Sequence, residues 1–175
     1  MLERFTRLSE KTRLIVMAVM TGAILVIVNG QILIKEGIIE NGNTMLLRLA
    51  PRDPRSLLQG DYMALRYAIA SEVAQAAKNA QTTDGRIIVE LAPDGEASFV
   101  ALDEGQALAQ GQHLLRFRRR GDSVRLASDA YFFQEGQWER YAGARFGELR
   151  VSEDGDAVLT GLRDGQGHRL GQALH

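Results

Sequence analysis

LIVMAVMTGAILVIVNGQILI, residues 14–34, runs for about 21 residues without a formally charged side chain. At ~1.5 Å per residue, a helix of that length spans about 31 Å, the thickness of a bilayer's hydrocarbon core. A secretory signal peptide has a shorter apolar core, ~7–15 residues, closed by a small-x-small cleavage site. Here the apolar residues continue from Val26 to Ile34 with no such site. The stretch therefore reads as an uncleaved anchor and divides the chain into a segment 1–13, a transmembrane helix 14–34, a linker 35–44 and a domain 45–175 outside the bilayer.

Orientation follows from the flanks, because cationic residues gather on the cytoplasmic side of a span. Arg4, Arg7, Lys11 and Arg13 precede it, and only Lys35 follows before Arg48. Residues 1–13 are expected in the cytoplasm and the domain on the far side. Asn29 and Gln31 lie near the outward end, where an amide in lipid prefers a hydrogen-bonding partner such as a second membrane helix. Interfacial water would also satisfy them.

Removing the first forty or so residues leaves roughly 135, enough for one domain with its own core. A net charge of −1 carries no electrostatic footprint of nucleic-acid binding. With no cysteine there is neither a disulfide framework nor a thiolate metal site. His113, His168 and His175 are scattered, and no metal-ligand spacing appears, so neither metal nor cofactor is expected.

The domain reads as mainly β within an α+β class: a small antiparallel sandwich or barrel-like fold with two or three short helices. A brief continuation of the anchor helix should end at Gly42 and Asn43, followed by a strand over 45–50. Asp53 at an N-cap, Pro54 at N1 and Gly60 at C′ describe a short helix. From Asp61 to Ile69 the alternation places Asp61, Met63, Leu65, Tyr67 and Ile69 on an inward face, and Tyr62, Ala64, Arg66 and Ala68 on the other. Residues 71–81 are alanine-rich and helical in propensity.

Turns at Asp84-Gly85 and Pro93-Asp94-Gly95 frame a hairpin over 86–103, with a loop at 104–111. Strands follow at 113–119 and 122–127, with 130–133 continuing the second or following a bend. A short helix fits 137–144, and a last hairpin turns across Glu153-Asp154-Gly155. A Leu-Arg-apolar then Gly-Asp pattern at 46–65 is echoed at 114–126 and 149–159. Recurring turn chemistry explains it more simply than an internal duplication.

Residues 60–67 read Gly-Asp-Tyr-Met-Ala-Leu-Arg-Tyr. This segment resembles the signature for which the GDYXXLXY bacterial protein family is named, matching every fixed position. The order of anchor, LLRLAPRDPRSLLQGDY, YFFQEG (131–136) and LRV-x-x-DG (149–155) is similar to that family's arrangement over nearly the whole chain. The resemblance implies a bacterial inner-membrane envelope protein with a periplasmic domain, often encoded beside polytopic membrane proteins, and implies no catalytic assignment.

Much of the signature has a physical reading of its own. Gly60 suits a helix end and Asp61 a turn. Leu65 and Tyr67 should be core, with the Tyr67 hydroxyl needing a polar partner. Tyr62 points to the other face, and the expectation is that it packs under the 71–81 helix. Arg116, Arg118 and Arg120 alternate onto one strand face, solvated or facing a lipid phosphate or an acidic partner. Arg52, Asp53 and Arg55 form a further possible anion group beside the signature.

Catalytic groupings are hard to find. Ser56, Ser71, Ser98, Ser123, Ser128 and Ser152 lack any nucleophile-elbow or Ser-x-x-Lys context. An anchor followed by a β domain containing Gly-Asp-Tyr looks like a fragment of type I signal peptidases, which leaves a degenerate hydrolase as a remote alternative. Thr44-Met45 stands where that family needs Ser-Met, and Lys78 is the only lysine beyond Lys35. The expected function is a non-enzymatic accessory of a polytopic membrane protein, docking through Asn29, Gln31 and the surface around Tyr62. The alternative is binding of a small molecule or lipid headgroup through the arginines.

Overall fold

The computed structural model describes residues 9–51 and 62–171. They fall into two units, divided between Gly37 and Ile38. Helix α1 (Glu10–Asn41) is long and apolar enough to cross a membrane. Its apolar side chains from Leu14 to Ile34 are uncovered on every side, as suits a helix whose solvent is lipid. The helix stops where expected: the Gly42 amide donates to the Ile38 carbonyl at 2.9 Å. A side chain at Gly42 would sit 2.5 Å from that oxygen and 3.0 Å from the Val151 backbone, so only glycine lets the chain turn here.

The second unit consists of antiparallel sheets curled into half-barrels, with short helices. β1 (Asn43–Arg48) pairs with β8 (Phe146–Val151), which pairs with β9 (Ala157–Arg163), which pairs with β10 (Arg169–Leu170). The second sheet has the order β4 (Ala97–Leu102), β3 (Asp84–Leu91), β5 (Gln112–Arg120), β6 (Ser123–Arg125). Register shifts at Ile88/Val89 and at Glu148/Leu149 add local twist to each sheet.

Two seams join the sheets. The Leu46 amide donates to the Gly95 carbonyl at 2.9 Å and Arg48 forms a two-pronged ion pair with Glu96, while the Arg116 amide donates to Gly155 at 2.8 Å. Between them lies one core in which Met45, Leu47, Ile87, Val89, Leu115 and Leu149 are fully buried. Helix α2 (Ala70–Asn79) closes it with Val73 and Ala77.

A smaller two-stranded sheet pairs β2 (Tyr62–Ala64) with β7 (Ala130–Phe132). With helix α3 (Trp138–Tyr141) it encloses a second cluster of Met63, Leu65, Tyr131, Tyr141, Ala144 and Leu162. On β8, Glu148 is buried, but its carboxylate accepts from Arg163 Nε at 2.7 Å and lies 3.7 Å from Arg169. The charge is thus paired rather than stranded, and it ties β10 to its sheet.

The hairpins at β3–β4, β5–β6 and β8–β9, the loop before β5 and both short helices match the sequence reading closely. Three expectations need correction. The strand expected over 61–69 is regular only across Tyr62–Ala64; beyond it the backbone is divided between two neighbours. The Leu65 amide donates to the Asp129 carbonyl at 2.7 Å, the Ala50 amide to Arg66 at 2.8 Å and the Ala68 amide to Arg48 at 2.8 Å. Of the two courses expected for 130–133, continuation of β6 is the one overturned: the chain bends over 126–129, as the other course has it, and Ala130–Phe132 pairs with β2. Tyr62 does not lie under α2: it is 43% exposed, its ring 5.7 Å from that of Phe132. The helix expected over 53–60 lies outside the described residues. The three echoed segments occupy unlike positions, since β5–β6 and β8–β9 are hairpins while β1 pairs with β8.

Candidate functional site

Of the residues singled out from sequence, Arg52, Asp53, Arg55, Gly60 and Asp61 lie outside the described residues. Leu65 and Tyr67 are core, each 5% exposed. The Tyr67 hydroxyl donates to the Ser128 carbonyl at 3.0 Å. Burial pushes this phenol well above its ordinary range, against the opposing pull of that hydrogen bond, with the nearby Asp129 charge adding to the rise. Gly147 makes room for the ring: a side chain there would come within 3.1 Å of Tyr67 Cε1.

Asn29 and Gln31 do not form one patch. Two residues apart on a helix is ~200° of rotation, which puts them on opposite sides. Asn29 donates its amide to the Leu25 carbonyl at 2.8 Å, so part of its polar demand is met within α1.

Sequence reasoning missed what the outward face of residues 64–68 builds. Ala64, Arg66 and Ala68 alternate with the buried Leu65 and Tyr67, and two cavities open over them. One, of about 590 Å³, is bounded by Arg66, Arg118, Arg120, Arg125, Asp122 and Asp129, with Ala50, Ala64, Ala68 and Ala70 as its small apolar lining. The other, of about 560 Å³, shares Ala50, Ala64, Leu65, Arg66 and Ala68 with it and adds Arg48, Arg145 and Trp138. Each is of the size that takes a small organic ligand, ~300–1,000 Å³. The signal was in the alternation itself: alanine at both 64 and 68 leaves space that a larger outward side chain would fill.

The electrostatics separate these arginines. Arg125 bonds Asp129, four residues on. Asp122 is turned to solvent, 3.8 Å from Lys78. Arg48 is held by Glu96 and stacks over Phe146 at 4.8 Å. Asp84 stands opposite Arg118 in the β3–β5 register without an ion-pair contact. Among the described residues, Arg66, Arg118 and Arg120 therefore have no carboxylate partner, and Arg145 donates only to the adjacent Ala144 carbonyl at 3.4 Å. Arg116, expected to act with Arg118 and Arg120, pairs instead with Asp156 at 3.2 Å and does not border either cavity. Guanidinium groups lacking counter-ions around a small-residue floor are suited to receive phosphate or carboxylate oxygens in pairs.

Of the two serines on the first cavity, Ser71 donates to Ala68 at 3.2 Å and Ser123 to Arg120 at 3.0 Å, both backbone carbonyls. Lys78, the only lysine beyond the anchor flank, faces Asp122.

The family model described as GDYXXLXY protein matches residues 24–162, most of the chain. No curated protein and no solved structure matches it.

Proposed function

The chain belongs to the GDYXXLXY protein family, and from that premise we propose that it is an inner-membrane envelope protein whose periplasmic domain binds an anionic ligand over residues 64–68. The observation that carries this reading is the group Arg66, Arg118 and Arg120 around one cavity, without carboxylate partners among the described residues. Positive residues before the span and few after it support the cytoplasmic placement of residues 1–13. The span ends at Ile34 and β1 begins at Asn43, so at most about 30 Å of chain lies between hydrocarbon and domain, and lipid headgroups are within reach.

Full-length protein in neutral detergent, titrated with inorganic phosphate and with micelles containing phosphatidylglycerol, tests this. Binding should weaken about tenfold or more in Arg118→Ala and in Arg120→Ala, since a hydrogen bond to a charged group contributes about 1.5–3 kcal/mol. Arg116→Ala should bind as the parent does. Equal binding in all three variants would refute the reading.

A second reading rests on the exposed pair Tyr62 and Phe132, the latter 72% exposed. Aromatic rings uncovered side by side suit a protein contact, and a polytopic membrane protein is the partner expected. Recovery of that partner from native membranes in mild detergent should fall in Phe132→Ser. Undiminished recovery would remove the pair from the contact.

A further inference from the structure

Resting on the anion-binding reading, we propose that the groove's ligand carries two anionic groups joined by an apolar or neutral segment. One is held by Arg118 and Arg120, the other by Arg145, with Arg66 between them.

The two cavities share Ala50, Ala64, Leu65, Arg66 and Ala68 in their linings, so they adjoin along that segment as two ends of one groove. Each end has its own arginine without a carboxylate partner: Arg118 and Arg120 at one, Arg145 at the other. The shared middle is Ala50, Ala64, Leu65, Arg66 and Ala68, four uncharged residues and one arginine that reaches both ends. Among the described residues the Arg145 end has no acidic residue in its lining, and Trp138, Met63 and Pro51 make it partly apolar.

A single small anion occupies one end and leaves the other in water. Two phosphates, or a phosphate and a carboxylate, separated by a neutral linker match both the charge and the apolar middle. Once the first group is bound, the second is captured intramolecularly at an effective concentration in the millimolar range, which raises affinity without further contacts. The same chemistry comes from two sources, a two-phosphate lipid such as cardiolipin or a soluble bisphosphate.

The test uses the full chain in neutral-detergent micelles. Four probes are titrated at matched phosphate: inorganic phosphate, a soluble alkanediol bisphosphate, micelles with phosphatidylglycerol, and micelles with cardiolipin. At least one two-phosphate probe should bind about 100-fold more tightly than its one-phosphate counterpart. Arg145→Gln should erase that preference, while Arg118→Gln weakens one-phosphate and two-phosphate binding alike. Preference in the soluble arm assigns the headgroup alone; preference only in the micelle arm assigns a lipid. Arg145 is exposed and its side chain bonds only a neighbouring carbonyl, so the variant should keep the parent's melting temperature. Equal affinity for one- and two-phosphate probes, or a preference that survives Arg145→Gln, overturns the two-anion inference and leaves the anion site standing. No binding of any probe overturns both.

Discussion

Tyr67→Phe separates scaffold from site at the signature. Tyr67 borders the first cavity, so its hydroxyl has two competing roles: tying the fold or meeting the ligand. The geometry favours the fold, because the hydroxyl donates to the Ser128 carbonyl at 3.0 Å on the segment that leads into β7. Phenylalanine keeps the ring and the packing against Gly147, removing one donor and stranding a part-buried acceptor. The expected cost is about 1–3 kcal/mol. For a domain of this size that corresponds to roughly 3–4 °C of melting temperature per kcal/mol. Trp138, the single tryptophan, lines a small cavity with Met63, Phe133 and Tyr141 and should report the unfolding of that region by fluorescence in urea. The midpoint should fall with an unchanged slope, and phosphate affinity at low temperature should stay within about twofold, since an ordinary surface or scaffold change leaves such contacts in place. A variant that keeps the parent's midpoint but loses phosphate binding would show that the hydroxyl faces the ligand, and the scaffold assignment would be wrong.

Gly105 and Gly155 share nearly the same positive φ, +88° and +87°, but a side chain at Gly105 meets open space while one at Gly155 comes within 3.1 Å of the Leu114–Leu115 backbone. Gly105→Ala should therefore cost about 1 kcal/mol of backbone strain, and Gly155→Ala about 1–3 kcal/mol more, by urea denaturation. Burial, reinforced by the Tyr141 phenol, raises Tyr131 to about 12, and Tyr67 is also raised. Unfolded phenols ionise near pH ~10, so this stability is intact below that pH and declines as pH climbs through the folded values. The melting temperature should drop steeply between about pH 10 and 12, and less steeply in Tyr67→Phe; a slope identical in the two proteins argues against a buried neutral phenol at Tyr67. In the anchor, Gln31→Leu should reduce partner recovery in mild detergent more than Asn29→Leu, because Asn29 already donates within its own helix; the reverse order would discard that account.

The sheets were legible because their evidence is local. Period-two alternation and glycine-bearing turns such as Asp94-Gly95 and Asp154-Gly155 place β3, β4, β8 and β9 without reference to the rest of the chain. Alternation also identified Met63, Leu65, Tyr67 and Ile69 as inward, and all are buried. What alternation does not contain is the identity of a strand's neighbours. Hence the course of 130–133, extension of β6 or a bend away from it, stays open in the sequence, and Tyr62 reads as covered by α2, although residues 62–68 pair with segments far away in sequence at 48–50 and 129–132. The same limit hid the groove. Arg66, Arg118 and Arg145 come together only through those long-range pairings, and whether an arginine is free depends on where every carboxylate ends up. Arg116 makes the point: it shares a face with Arg118, but the β8–β9 turn brings Asp156 to it.

The signature divides along the same line as its two faces. Its fixed positions Leu65 and Tyr67 are core, and their replacement by smaller residues would open cavities at a cost of about 2–5 kcal/mol each. Its unspecified positions include Ala64 and Arg66, which line the groove. Met63, also unspecified, is nonetheless buried, so the division holds for Leu65, Tyr67, Ala64 and Arg66 rather than for every position. Tyr62 departs from the pattern, being fixed in the signature yet 43% exposed and packed only on Phe132 among aromatic neighbours. Tyr62 is thus the fixed aromatic on the outward face of the segment, while Leu65 and Tyr67 build the core and Ala64 and Arg66 line the two cavities.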